Sequence, residues 1–329
     1  MVNARFQNKV AGSVFTLPIC IVIAVALWWL PQRAFSVPHI LGLVLCLLTT
    51  YVVMETNAQQ HIIRIRTRMM SCVWLMLTAC LAFMHPLEEP IIASACLCIS
   101  YMLLFRCYQR LRPQAFVFHA FLMLSIGSFF APVMLAMAIP FFLYIALLLR
   151  SLTKKAFWAG ILGLIAPYWC YAFWYFITGK IDPSKITLPI GRIPFLDYPF
   201  DYQVLLRYIK TEELLSLPFS VQVSAAFIIL LSIVSIVHYM RTNYDDKIRV
   251  RMILYIYMTQ TLLLMVFLVL QPAHYETTMA LLVASASPLI AHYFSLTGSI
   301  LSNTFFVLSL LLTAGMATLN LWLTSFSIY

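Results

Sequence analysis

With 329 residues, 63% of them hydrophobic and only 10% charged, the chain has a mean hydropathy of +0.93 and too little polar surface to coat a water-soluble core. A soluble globular protein is excluded, and a transmembrane β-barrel is disfavoured because apolar and polar residues nowhere alternate for long. The composition leaves an all-α bundle in lipid, where each apolar run must satisfy its own backbone hydrogen bonds as a helix.

In chain order, spans are predicted near 11–30, 37–54, 69–85, 91–105, 115–130, 132–149, 156–178, 219–239, 252–270, 277–296 and 301–325, about eleven helices in a single integral membrane domain covering 1–329. The third, fourth and fifth are short enough that one could be re-entrant, which would make the count ten or twelve. The first span has a basic start, but it is too long for a signal peptide and contains Trp28 and Trp29, so it reads as an uncleaved helix. Pro18, Pro140, Pro167 and Pro288 are expected to kink their helices.

Charge orients this bundle. With a cytoplasmic N-terminus, 15 of the 21 basic residues fall on inner segments, among them Arg64, Arg66, Arg68, Arg106, Arg249 and Arg251. The acids divide the other way: Glu55, Asp245 and Asp246 inside, the remaining eight of the 11 outside. The balance is 15 − 3 = +12 inside and 6 − 8 = −2 outside, which returns the net +10. The basic excess therefore follows the positive-inside rule and needs no nucleic acid as a partner; Tyr329 ends outside. The basic stretch HIIRIRTRMM (61–70) reads as a solvated, headgroup-facing loop.

One connection is long. Residues 179–218 lie outside; the first half is broken by Pro183, Pro189, Pro194 and Pro199, while Asp201 can cap a short amphipathic helix near 201–217 resting on the membrane boundary. Three outer segments are polar together. MHPLEEPI (84–91) offers His85, Glu88 and Glu89; QPAHYE (271–276) offers His274 and Glu276; the long connection offers Arg192, Asp197, Asp201 and Arg207. If these meet, acids, histidines and an arginine would rim an outward cavity able to orient a hydroxyl, bind a diphosphate or hold a divalent metal.

No Asp, Glu, Lys or Arg stands near the middle of a predicted span, which argues against an ion-driven carrier. His119, Gln260, Ser285, Ser287, Asn303 and Asn320 are polar at depth and read as helix–helix hydrogen-bond partners. The eight cysteines act as small apolar residues, and no motif calls for a cofactor or metal.

The run FRCYQRLRPQAFVFHAFLMLSIGSFFAPVMLAMAIPFFLYIALLLRSLTKKAFWAGILGLIAPYW (105–169), followed later by SASPLIAHYF (285–294), resembles an uncharacterised family of polytopic inner-membrane proteins of Bacteroidota. That resemblance implies a Gram-negative inner membrane and periplasmic outer loops. The layout of helices with one long outer connection is also similar to O-antigen polymerases and ligases and to multi-spanning glycosyltransferases that use lipid-linked sugars. The latter generally carry an acid in the first outer loop, whereas PQRAFSVP (31–38) has only Arg33. The resemblance implies cell-envelope work on a polyprenyl-linked glycan, with Arg192 gripping the diphosphate, Glu88, Glu89, Asp197 or His274 handling a hydroxyl proton, and Asp201, Arg207 and Glu276 completing the ligand contacts. The alternative is a non-catalytic membrane subunit of an envelope assembly or secretion complex. In either case the bilayer is a partner.

Overall fold

The computed structural model describes residues 5–30, 36–178, 187–188, 191–192 and 217–326. Its helices are α1 (Phe6–Gly12), α2 (Thr16–Trp29), α3 (Val37–Gln60), α4 (Met69–Ala79), α5 (Glu89–Phe105), α6 (Gln114–Ser128), α7 (Val133–Ala136), α8 (Ala138–Leu143), α9 (Lys154–Thr178), α10 (Phe219–Thr242), α11 (Ile248–Leu270), α12 (Tyr275–Leu296) and α13 (Ile300–Phe326). A two-residue ladder pairs Thr187–Leu188 with Gly191–Arg192. Every predicted span is helical over most of its length. Length separates them: α3, α9, α10, α11, α12 and α13 are long and apolar enough to cross a membrane, whereas α4, α5, α6 and the Val133–Leu148 stretch are shorter. The result is a multi-pass helical membrane protein with six such helices among the described residues, or seven if α1 and α2 together count as one span.

That first span is broken. α1 and α2 meet at 92°, at Ser13–Phe15 and not at Pro18, which sits in the first turn of α2 where a missing N–H costs nothing. The corner is pinned by the Thr16 hydroxyl donating to the Val10 carbonyl (2.6 Å) and the Ser13 hydroxyl accepting from the Phe15 N–H (3.2 Å). Gln7 then fastens α1 across the end of α12, donating through Nε2 to the Phe294 carbonyl at 2.6 Å. Pro167 and Pro288 lie inside continuous helices. Around Pro140 the helix is irregular, passing from α8 into a π-helical turn at Tyr144–Leu148.

α12 is the mast of the bundle. Its best apolar window is 94% buried, against 17% for α9 and 28% for α3 and α13, and it packs against α4, α5, α10 and α11. The sequence explains this: Ala280, Ala284, Ser285, Ala286, Ser287 and Ala291 keep its surface small all round, so four neighbours can come close. α6 and α9 approach closely for a similar reason, since a methyl at Gly163 would run into the Phe118 carbonyl. Polar groups at depth mostly bond across helices. The Tyr144 hydroxyl donates to Gln260 Oε1 (3.1 Å), Tyr101 and Ser285 share a hydroxyl pair (2.9 Å), Asn303 accepts from the Gln7 N–H (3.0 Å), and Asn320 donates to the Cys80 carbonyl (2.8 Å). Ser287 instead bonds its own helix, and His119 is exposed.

The connections sort into two ends. Arg106 Nε donates to Gln59 Oε1 (2.9 Å), Arg249 donates to Gln60, and the Gln109 N–H donates to the Leu149 carbonyl, which places the basic connections together. At the opposite end Trp28 Nε1 donates to the His39 carbonyl (3.0 Å) and the Leu87 N–H to the Pro38 carbonyl (2.9 Å).

Candidate functional site

The acidic end is built from two connections far apart in sequence. Glu88 and Glu89 stand where the chain enters α5, and Glu276 is the second residue of α12, after the short turn Pro272–His274. Acids suit both places, because first-turn carboxylates oppose the positive end of the helix dipole. Phe83 meets the Tyr275 ring edge-on (6.2 Å between centroids), which draws the two connections together. The Tyr275 hydroxyl donates to Glu276 Oε1 at 3.0 Å. Partial burial, and then the Glu276 charge, raise the proton affinity of the Glu88 and Glu89 carboxyls, with Glu88 adding to the effect on Glu89. Glu88 and Glu89 thus lie within reach of the Glu276 charge on a partly desolvated surface, a setting in which these two carboxyls hold a proton above the usual carboxylate range and can exchange it with a bound group.

His274 closes the turn before α12, and its carbonyl accepts from the Thr278 hydroxyl (2.8 Å). His85 does not belong to the rim expected of it. It is buried, donates from Nε2 to the Ala79 carbonyl (3.0 Å) and lies flat against Trp28 with ring centroids 4.2 Å apart. Burial holds its pKa down at about 4, so it is a neutral packing residue. Arg192 pairs through its backbone with Thr187. Asp197, Asp201, Arg207 and the amphipathic helix expected near 201–217 lie outside the described residues. Among the described residues no three His, Cys, Asp or Glu side chains are arranged to hold a metal ion.

The basic end holds a second polar constellation that the sequence reading passed over. Asp246, between α10 and α11, has a fully buried side chain; its Oδ2 lies 3.0 Å from His292 Nε2 on α12, and its Oδ1 lies 3.0 Å from Arg64 Nε. The Arg64 contact is an ion pair without an aligned N–H, since Oδ1 accepts no hydrogen bond among the described residues. Tyr239 packs edge-on against the His292 ring at 5.3 Å. The stretch 61–70 is solvated on one side only: His61, Arg64, Ile65, Arg66 and Arg68 are exposed, while Ile62, Ile63, Met69 and Met70 are buried and the Thr67 hydroxyl donates to the Ala11 carbonyl (2.5 Å). Its available signal was chemical, an Asp-Asp pair in a connection otherwise rich in bases.

No protein family, no curated protein and no solved structure matches the chain.

Proposed function

We propose that the chain is an inner-membrane protein of the cell envelope that acts, at its acidic end, on a polyprenyl-linked glycan. The observation that carries this reading is the meeting of Glu88 and Glu89 with Glu276, which gives carboxyls of raised proton affinity at the end from which α9 leaves and to which α10 returns. In this reading the carboxylates and His274 take up a hydroxyl proton, Arg192 and Arg207 bind the diphosphate, and Asp197 and Asp201 complete the site. All eleven apolar segments are crossings, the N-terminus is cytoplasmic, and Tyr329 and the acidic end are periplasmic. Support comes from the gathering of the basic connections at the opposite end and from the alternation of ends along the chain.

The test is the lipid-linked glycan profile of a deletion strain. Wild-type protein is expected to restore it, and Glu276→Gln, Glu88→Gln and Arg192→Lys at equal abundance are not, because an amide cannot accept the proton and an ammonium cannot grip a diphosphate bidentately. Full restoration by all three variants overturns the reading. The packing of His85 against Trp28, which removes one expected rim base, favours a second reading as a non-catalytic membrane subunit. That alternative predicts full restoration together with migration in a larger assembly on native gels.

A further inference from the structure

A cavity of about 420 Å³ lies between α2, α4 and α13, walled at the back by α12. Thr16, Cys20, Ile23 and Leu27 form one stripe along α2, at spacings of four, three and four residues that keep them on a single face. Met69 to Cys80 on α4 and Phe306 to Thr318 on α13 supply the facing walls. At about 1.5 Å per residue the stripe from Thr16 to Leu27 runs roughly 16 Å. That is about half of the ~30 Å hydrocarbon core, the depth of one leaflet.

The groove is dry by construction. Each hydroxyl on its walls is already turned to a nearby carbonyl: Thr16 to Val10 across the α1–α2 corner, and Ser309 to Phe306, Thr313 to Ser309 and Thr318 to Gly315 within α13, while the Cys80 thiol donates to the Thr313 carbonyl. Nothing in the walls asks for a polar ligand, so an alkyl chain fits and a sugar or nucleotide does not. Its mouth is different. At the Thr16 and Met69 end the groove is walled by Val10 of α1, which turns 92° away from α2 and so runs across the helix axis as a helix at the membrane boundary does. Arg5 and Lys9 lie on or beside α1, and Arg68 precedes α4 next to Thr67, whose hydroxyl ties that segment to the Ala11 carbonyl of α1. Arg5 Nη1 is buried with no hydrogen-bond partner among the described residues.

We propose that this groove is a binding site for one anionic phospholipid of the leaflet at the basic end, with an acyl chain along α2 and the phosphate held beneath α1 by Arg5, Lys9 and Arg68. Length and lining select the chain, and the cationic rim selects the head.

The experiment counts lipid on delipidated, detergent-purified protein titrated with phosphatidylglycerol or phosphatidylcholine. Wild-type protein is expected to take up one phosphatidylglycerol per chain and to prefer it over phosphatidylcholine. Arg68→Gln should weaken phosphatidylglycerol about five-fold, the worth of one basic residue near a headgroup, and leave phosphatidylcholine unchanged. Ala314→Trp, which fills the groove, should abolish uptake, whereas Leu311→Trp on the exposed face of the same helix should not. Equal uptake by the Ala314 and Leu311 variants overturns the site, and equal affinity for the two lipids overturns its headgroup selectivity. A second measurement needs no variant. Phosphatidylglycerol with a diazirine in its acyl chain should label wild-type peptides carrying Cys20 and Ala314, and unlabelled phosphatidylglycerol should compete. Label spread evenly over the exposed faces of α9 and α13 marks ordinary surrounding lipid and sinks the proposal.

Discussion

The two ends of the bundle treat carboxylates in opposite ways. At the basic end one acid, Asp246, is wholly buried and held between His292 and Arg64. At the acidic end Glu88, Glu89 and Glu276 are half-exposed, and the charge that acts on Glu88 and Glu89 is the like charge of Glu276. Every ion pair among the described residues lies at the basic end. The contrast separates two uses of charge. Asp246 joins the α10–α11 connection to α12 and to the 61–68 segment, so its worth is structural, since a buried charge is tolerated only when paired. At the other end the Tyr275 hydroxyl bonds Glu276, while burial and like charge hold Glu88 and Glu89 in a costly arrangement, which is the usual mark of groups held for chemistry or binding.

The sharpest way to break this comparison is to remove one acid from each end. Asp246→Ala strips His292 Nε2 of its acceptor and Arg64 of its counter-charge in a buried place, and should cost about 3–5 kcal/mol, the usual loss when one member of a buried pair is deleted. Asp246→Asn keeps an acceptor and should cost less. Glu276→Ala should leave the unfolding midpoint in detergent near that of wild type. Equal losses for the two alanine variants would erase the distinction between the ends.

How much of this was legible beforehand follows the same line. Apolar runs announce helices because a lipid-facing backbone has no other choice, and so every predicted span coincides with helix. What hydropathy cannot report is where a run stops being helical. The 69–85 run supplies α4 only to Ala79 and a separate turn at Ala82–Met84, and the break before α2 is made by the Ser13 and Thr16 hydroxyls in place of the proline that drew attention. The acids of the 84–91 and 271–276 connections were legible as a group because both lie at helix entries on one side. Asp246 and His292 were not, since they stand 46 positions apart with no shared spacing, and only the packing of α12 brings them together. His85 was misassigned because its neighbours in sequence, Pro86 and Leu87, give no hint that Trp28 would cover it.

His85 supplies the second test. Its folded pKa of about 4 lies below the ordinary 6.5, so the unfolded chain binds the extra proton first. Its contribution is present above pH 6.5 and is lost as the pH falls from there through 4, by at most about 3 kcal/mol. His85→Gln keeps a donor for the Ala79 carbonyl and removes the titration, so the variant should lose less stability than wild type between pH 6.5 and 4. Identical acid profiles would put His85 back among the solvated rim groups.

A smaller effect is expected at Arg64, whose side chain is 41% exposed and whose pairing with Asp246 is therefore screened. Arg64→Gln should cost about 1 kcal/mol, at the upper end for exposed pairs, and less in high salt. A loss as large as that of Asp246→Ala would show that Arg64, and not His292, is the partner that makes the buried carboxylate tolerable.

The smallest effect is expected at Glu88, and its sign is the informative part. Its carboxyl is raised above 4.5, chiefly by burial and then by Glu276, so folding binds protons there that the unfolded chain has already released. A raised acid favours the folded state below pH 4.5, and this advantage is lost as the pH rises through the folded value. At pH 7 the charged Glu88 thus opposes folding, and Glu88→Gln, which is neutral at every pH, should be slightly more stable than wild type. The gain should shrink as the pH is lowered toward 4.5, where the native carboxyl becomes neutral too. At Asp246 the same Asn-for-Asp exchange lowers stability at pH 7, because that charge has partners. Unfolding midpoints of the two amide variants across pH 4.5 to 8 decide the matter. If Glu88→Gln is destabilising at pH 7, the carboxylate has a counter-charge in the folded protein, and the acidic end is a paired structural site like its opposite.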